Sequence, residues 1–112
     1  MNLVEDITAV LPELDDEGYL TDPADWNEQV AVALADSENL LLNDEYWDVL
    51  LFMRAFYEEH QIAPDARYVI KHLAERWGGG ARKKLFELFP YGYVKQACKI
   101  AGMRRPRAWS TG

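Results

Sequence analysis

Asn43-Asp44-Glu45-Tyr46-Trp47-Asp48-Val49-Leu50-Leu51-Phe52-Met53-Arg54-Ala55-Phe56-Tyr57-Glu58-Glu59-His60 reads as one uninterrupted helix. Asn43 supplies an N-cap oxygen, and Asp44 and Glu45 put negative charge at the positive end of the helix dipole. Tyr46, Val49, Leu50, Met53, Phe56, Tyr57 and His60 then recur at the i, i+3, i+4, i+7 spacing of one helical face. Leu51 and Phe52 fall outside that stripe, which predicts burial on more than one side. Each large apolar side chain that leaves water contributes roughly 1.5–3 kcal/mol, so this helix is expected at the centre of the fold.

Working outward, Asp22-Pro23 reads as an N-cap followed by proline at the first helical position. Trp26, Val30, Ala33 and Leu34 follow at helical spacing, and the segment ends near Ser37-Glu38-Asn39. On the other side Pro64 opens a helix with the stripe Ala66, Val69, Ile70, Leu73 and Trp77, ended by Gly78-Gly79-Gly80. A short helix is expected over 81–89, broken by Pro90 and Gly92. A last one is expected over 93–101, with Val94, Ala97, Cys98 and Ala101 inward and Lys95, Gln96 and Lys99 outward. Residues 1–20 read as extended: Ile7, Val10, Leu11 and Leu14 are apolar, Asp15-Asp16-Glu17-Gly18 is a turn, and Tyr19-Leu20 returns. The expected fold class is therefore α+β and mainly helical, with a small N-terminal β-hairpin or meander packed on an array of about five helices. Residues 1–103 form one domain, and residues 104–112 a mobile, basic C-terminal arm.

With 112 residues and 49% hydrophobic content, the chain suits one compact domain. Its single cysteine excludes an intramolecular disulfide and a multi-cysteine zinc site. No apolar run reaches the roughly 20 residues that span a bilayer, and no basic leader opens the sequence, so a cytoplasmic protein without a cofactor is expected. The net charge of −7 hides an asymmetry. Residues 1–61 carry 16 acidic side chains and one basic, Arg54; residues 62–112 carry 3 acidic and 11 basic. Two readings stay open: an acidic half folded against a basic half, and a basic face that meets an acidic partner or nucleic acid.

Cys98 is the candidate thiol. Lys95 lies one turn away, and a nearby ammonium favours thiolate. Against this, Cys98 sits on the apolar stripe and near a helix C-terminus, whose partial negative charge disfavours thiolate. His60 and His72 have no partners at metal-ligand spacing, and Asp15, Asp16 and Glu17 lack the spacing of a calcium loop. Gly78-Gly79-Gly80-Ala81-Arg82-Lys83-Lys84 lacks the spacing of a phosphate loop. The helices flanking it could pass for a helix-turn-helix, with Arg82, Lys83 and Lys84 as the alternative nucleic-acid contacts.

Over residues 13–106 the chain resembles the DsrC/TusE family of sulfur-relay proteins, which includes the gamma subunit of dissimilatory sulfite reductase. The resemblance is carried by Asp15-Asp16-Glu17-Gly18-Tyr19-Leu20, Asp25-Trp26, Tyr46-Trp47-Asp48-Val49, Arg54-Ala55-Phe56-Tyr57 and Ile62-Ala63-Pro64. It continues through Leu88-Phe89-Pro90-Tyr91-Gly92 and Lys95-Gln96-Ala97-Cys98-Lys99-Ile100-Ala101-Gly102. It implies a carrier that accepts sulfur as a persulfide on an arm cysteine and passes it on. One branch serves tRNA 2-thiouridine formation through a TusBCD-like complex and a tRNA thiolase; the other serves sulfite reductase. Cys98 matches the second family cysteine, one helix before the arm. Lys95, Lys99, Arg104, Arg105, Arg107 and Trp109 are then the expected partner-binding residues. Two departures stand out. Aligned without gaps, Pro106 keeps the arm proline and Trp109 falls where the relay cysteine belongs, whereas a gapped alignment sets Ser110-Thr111-Gly112 before a cysteine outside this sequence. The 78–84 loop is also shorter than the family's. A non-catalytic paralogue that binds protein or DNA is the alternative.

Overall fold

The computed structural model describes residues 11–104. Ile7 and Val10 of the expected meander, and Arg105, Arg107 and Trp109 of the expected arm, lie outside the described residues. Four α-helices run in order: α1, Glu28–Ser37; α2, Asp44–His60; α3, Ala66–Trp77; and α4, Ala81–Leu88. A π-helical segment, Tyr93–Cys98, follows and continues helically to Ile100.

The capping chemistry of α2 is as its sequence dictates. The Asn43 side chain accepts from the amides of Glu45 at 3.0 Å and Tyr46 at 3.3 Å. At the other end Gln61 adopts a left-handed conformation, φ 60°, and closes the helix on the Tyr57 carbonyl. Val49, Leu50 and Met53 are fully buried. Phe56 is only half-buried and Leu51 is exposed, so α2 presents one deep face and one partly wet one. Val30 and Leu34 of α1, Val69 and Leu73 of α3, and Leu85 of α4 close on that deep face, with Tyr93, Ala97, Cys98 and Ile100 filling the end of the core. Asp65 caps α3 by accepting from the Arg67 amide. The Gly78–Gly80 stretch is a single 3-10 turn that folds α4 back along α3.

Two expectations are corrected. No strand forms among the described residues, so the N-terminal β-hairpin is absent: Leu14 and Leu20 make one isolated antiparallel bridge. The reason is local. The Asp15 carboxylate accepts from the amides of Glu17 at 2.8 Å and Tyr19 at 3.0 Å, which wraps the turn tightly about one side chain. Pro12 has no amide to extend a ladder, and the two arms part after the Thr21 amide reaches the Glu13 carbonyl. The helix expected from Asp22 is also split. Asp22 caps only the 3-10 turn Pro23–Asp25; Trp26 is extended; and Asn27 starts α1 afresh by accepting from the Val30 amide at 2.9 Å. The break frees Trp26 to turn toward the last helix.

Candidate functional site

Gly92, at φ 105°, turns the chain after α4 into the Tyr93–Cys98 segment. Here the expected face is corrected: Gln96 is fully buried. Its carbonyl oxygen accepts from the Tyr91 amide at 3.0 Å, and its amide nitrogen donates to Glu38 at 3.3 Å. A polar side chain is tolerated inside because each end finds a partner.

Cys98 is fully buried. Burial pushes its thiol up to about 12 from an ordinary 9.0, and the hydrogen bond from Tyr93 offsets this only in part. Tyr93 gives its own hydroxyl proton to the Pro64 carbonyl. The thiol therefore keeps its proton in the fold, beside a Tyr93 hydroxyl that also serves the Pro64 carbonyl. Tyr93, itself buried against Cys98, is pushed up far beyond the ordinary tyrosine range. Tyr19, whose hydroxyl donates to the Val94 carbonyl at 2.9 Å, is raised to about 12 by burial first and then by Cys98 and Asp15. Burial is the dominant influence on Cys98, and Tyr93 opposes it.

The pH dependence follows with a definite sign. Groups held protonated in the fold contribute stability that is complete below their unfolded pKa and is lost as pH rises toward the folded value. Stability is expected to be flat from neutrality to about pH 9 and to fall between pH 9 and 12 as unfolding releases the Cys98 proton. Tyr19 adds to the fall from its ordinary value of 10.0 upward. Urea midpoints across that range check this, and Cys98→Ala should flatten its lower part.

The end of the helix is held from two sides. Trp26 Nε1 donates to the Ile100 carbonyl at 2.9 Å. The Arg54 guanidinium donates to the carbonyls of Ala101 at 3.1 Å and Pro23 at 3.0 Å, and lies 4.8 Å from the Trp26 ring centre. The one basic residue of the acidic half thus tethers the last helix to α2 and to the Pro23 turn. Arg104 is exposed and donates to the Thr21 carbonyl at 3.2 Å.

Among the other cations named from sequence, Lys95 is exposed, while Lys99 lies 3.7 Å from Glu38 and over the Tyr19 ring. Arg82 and Lys83 are exposed. Lys84 pairs with Glu45 at 2.8 Å and covers the Trp77 ring. His72 bonds Asp48 at 2.8 Å and stacks on Phe52, and His60 packs on Phe56. Among the described residues no cluster of His, Cys, Asp or Glu could hold a metal ion, and no helix is long and apolar enough to cross a membrane. Sequence reasoning missed Tyr93, Gln96 and the Arg54–Trp26 pairing; the only signal was a lone arginine in an acidic half.

A small helical domain built round a shielded thiol, with its last helix pinned by Trp and Arg, is the class these features define. A family model described as DsrC-like protein matches residues 7–108, and the chain belongs to the DsrC/TusE family. It is 41% identical over 96 residues to the sulfurtransferase TusE of Yersinia pseudotuberculosis, covering 84% of this chain and 89% of that one. With the TusE of Escherichia coli K12 the identity is 42% over 96 residues, covering 84% and 88%. The crystal structure of the oxidized gamma subunit of dissimilatory sulfite reductase (DsrC) from Archaeoglobus fulgidus superposes with a TM-score of 0.81 at 30% identity, covering 88% of this chain and 92% of that one. The NMR structure of Allochromatium vinosum DsrC gives 0.74 at 42% identity, covering 87% and 88%.

Proposed function

We propose that this chain acts in a cytoplasmic sulfur relay of the TusE or DsrC kind, docking on relay proteins such as a TusBCD-like complex, a tRNA thiolase or a sulfite reductase. The observation that carries the reading is the match to TusE sulfurtransferases at 41–42% identity over most of both chains. Cys98 is the only thiol of the 112 residues. In the free protein it is protonated and shielded, so sulfur transfer through it needs a partner that loosens the packing around Tyr93. Once ionised, the Cys98 sulfur attacks the outer sulfur of a donor persulfide. The donor's S–S bond breaks, its thiolate leaves, and Cys98 holds the sulfur as a persulfide with no net oxidation. The acceptor repeats the same exchange. Lys95, Arg104, Arg105, Arg107 and Trp109 are the partner contacts in this reading; Lys99, already beside Glu38, contributes to the local fold as well. The comparisons lend nothing to the DNA-binding alternative, and Lys84 of its three contacts already serves Glu45.

The test is replacement. Expressed in E. coli lacking its own TusE, the protein is expected to restore 2-thiouridine in tRNA, measured by nucleoside mass spectrometry, or to co-purify with the TusBCD-type complex. Failure of both, with the protein folded, would remove the tRNA branch; failure to bind sulfite reductase as well would remove the relay reading.

A further inference from the structure

A cleft of about 260 Å³ lies between the N-terminal turn of α3 and α4. Ile70, Phe86 and Tyr93 form its apolar walls, and Asp65, Arg67 and Arg82 its polar edge. Phe86 is 42% exposed, a large apolar side chain left uncovered. The volume falls below the roughly 300–1,000 Å³ of small-molecule pockets and suits one inserted side chain, the geometry of a protein–protein anchor. The charges at its edge are not equivalent. Arg67 is spent on Asp65, which it grips at 2.9 Å and 3.2 Å. Arg82 has no carboxylate within ion-pair distance among the described residues.

We infer that this cleft docks an acidic segment of a partner protein, an apolar side chain entering between Ile70 and Phe86 while a flanking carboxylate meets Arg82. Charge selects the occupant. A single arginine unpaired among the described residues suits one carboxylate, whereas nucleic-acid binding needs several phosphates neutralised at once; Asp65 is already neutralised by Arg67. The cleft also has a route to the thiol. Tyr93 lines it and is hydrogen-bonded to Cys98 on its inner side, so an anchor pressing on the Tyr93 ring disturbs the Pro64–Tyr93–Cys98 chain. For that second step the inference rests on the relay reading above; for docking it does not.

The test uses the whole chain and a phage-displayed library of random dodecapeptides. Enriched peptides are expected to carry an apolar residue flanked by Asp or Glu. Phe86→Ala and Arg82→Glu should each weaken the best peptide by about tenfold or more; both side chains are exposed, so circular dichroism and melting should be unchanged. A saturating peptide should also speed alkylation of Cys98. No enrichment, peptides that bind both variants as well as wild type, or displacement of the peptide by a single-stranded RNA oligonucleotide would overturn the docking surface. A bound peptide that leaves the alkylation rate unchanged would overturn the link to Cys98. Peptide binding that persists when cell replacement fails sinks the relay reading alone, and the reverse result sinks this inference alone.

Discussion

Iodoacetamide should alkylate Cys98 in the native protein at least about a thousandfold more slowly than in the unfolded chain at neutral pH. The figure comes from ionisation alone. A thiol moved from 9.0 to about 12 has its thiolate fraction cut about a thousandfold, and thiolate is the reacting form. Full burial slows reagent access further, so native labelling should proceed through openings of the structure. Labelling followed by intact-mass measurement, with and without urea, checks this. Tyr93→Phe offers an internal control: it removes the hydroxyl hydrogen-bonded to the Cys98 sulfur and leaves the Pro64 carbonyl without its donor. It should loosen the site and raise the labelling rate. Native labelling within tenfold of the unfolded rate would mean that Cys98 is accessible and ionisable as folded.

Gly102→Ala should be strongly destabilising, costing roughly 2–5 kcal/mol. Gly102 has φ 74°, a left-handed conformation that costs other residues about 1–2 kcal/mol. A Cβ there would lie 2.4 Å from Trp26 Cδ1 and 2.8 Å from Trp26 Cβ, and forced overpacking adds about 1–3 kcal/mol. Trp26 cannot yield cheaply, because its indole is bonded to Ile100 and stacked by Arg54. Gly78→Ala provides the comparison: φ is 57° but nothing lies within 4 Å of the added carbon, so only the conformational cost applies. Urea denaturation of both variants separates the two contributions. Equal shifts would show that Trp26 moves aside and that the pinning of the last helix is soft.

What the sequence discloses here is local chemistry and what it hides is distance. Asn43 announces α2 because the cap and the residues it serves are adjacent in the chain. The Asp15 turn misleads for the same reason: a turn between apolar residues looks like a hairpin, and only the side chain's grip on two amides shows that no ladder follows. Asp22-Pro23 and Asn27 are two start signals within one segment, and the break at Trp26 emerges from its long-range bond to Ile100. The apolar stripe of the last helix makes Cys98 readable as a buried thiol, but its surroundings are not. Pro64, Tyr93 and Tyr19 come from three separate stretches of sequence. Gln96 is read as a surface residue because its partner, Glu38, is 58 residues away. The family motifs are the one signal that spans such distances, since each motif fixes a side chain that only the fold brings into contact.

The proposed relay role requires a single thiol that is closed in the free state and opened by a partner. Intact-mass measurement after incubation with a persulfide-loaded cysteine desulfurase tests it most directly, with E. coli TusE as the loading control and Trp109→Cys as a second chain. The free protein is expected to gain sulfur on Cys98 far more slowly than TusE gains it, to speed up when a TusBCD-type complex is added, and to load readily at position 109 in the Trp109→Cys variant. Loading of Cys98 in the free protein as fast as TusE loads, or no loading with the complex present, would contradict the account.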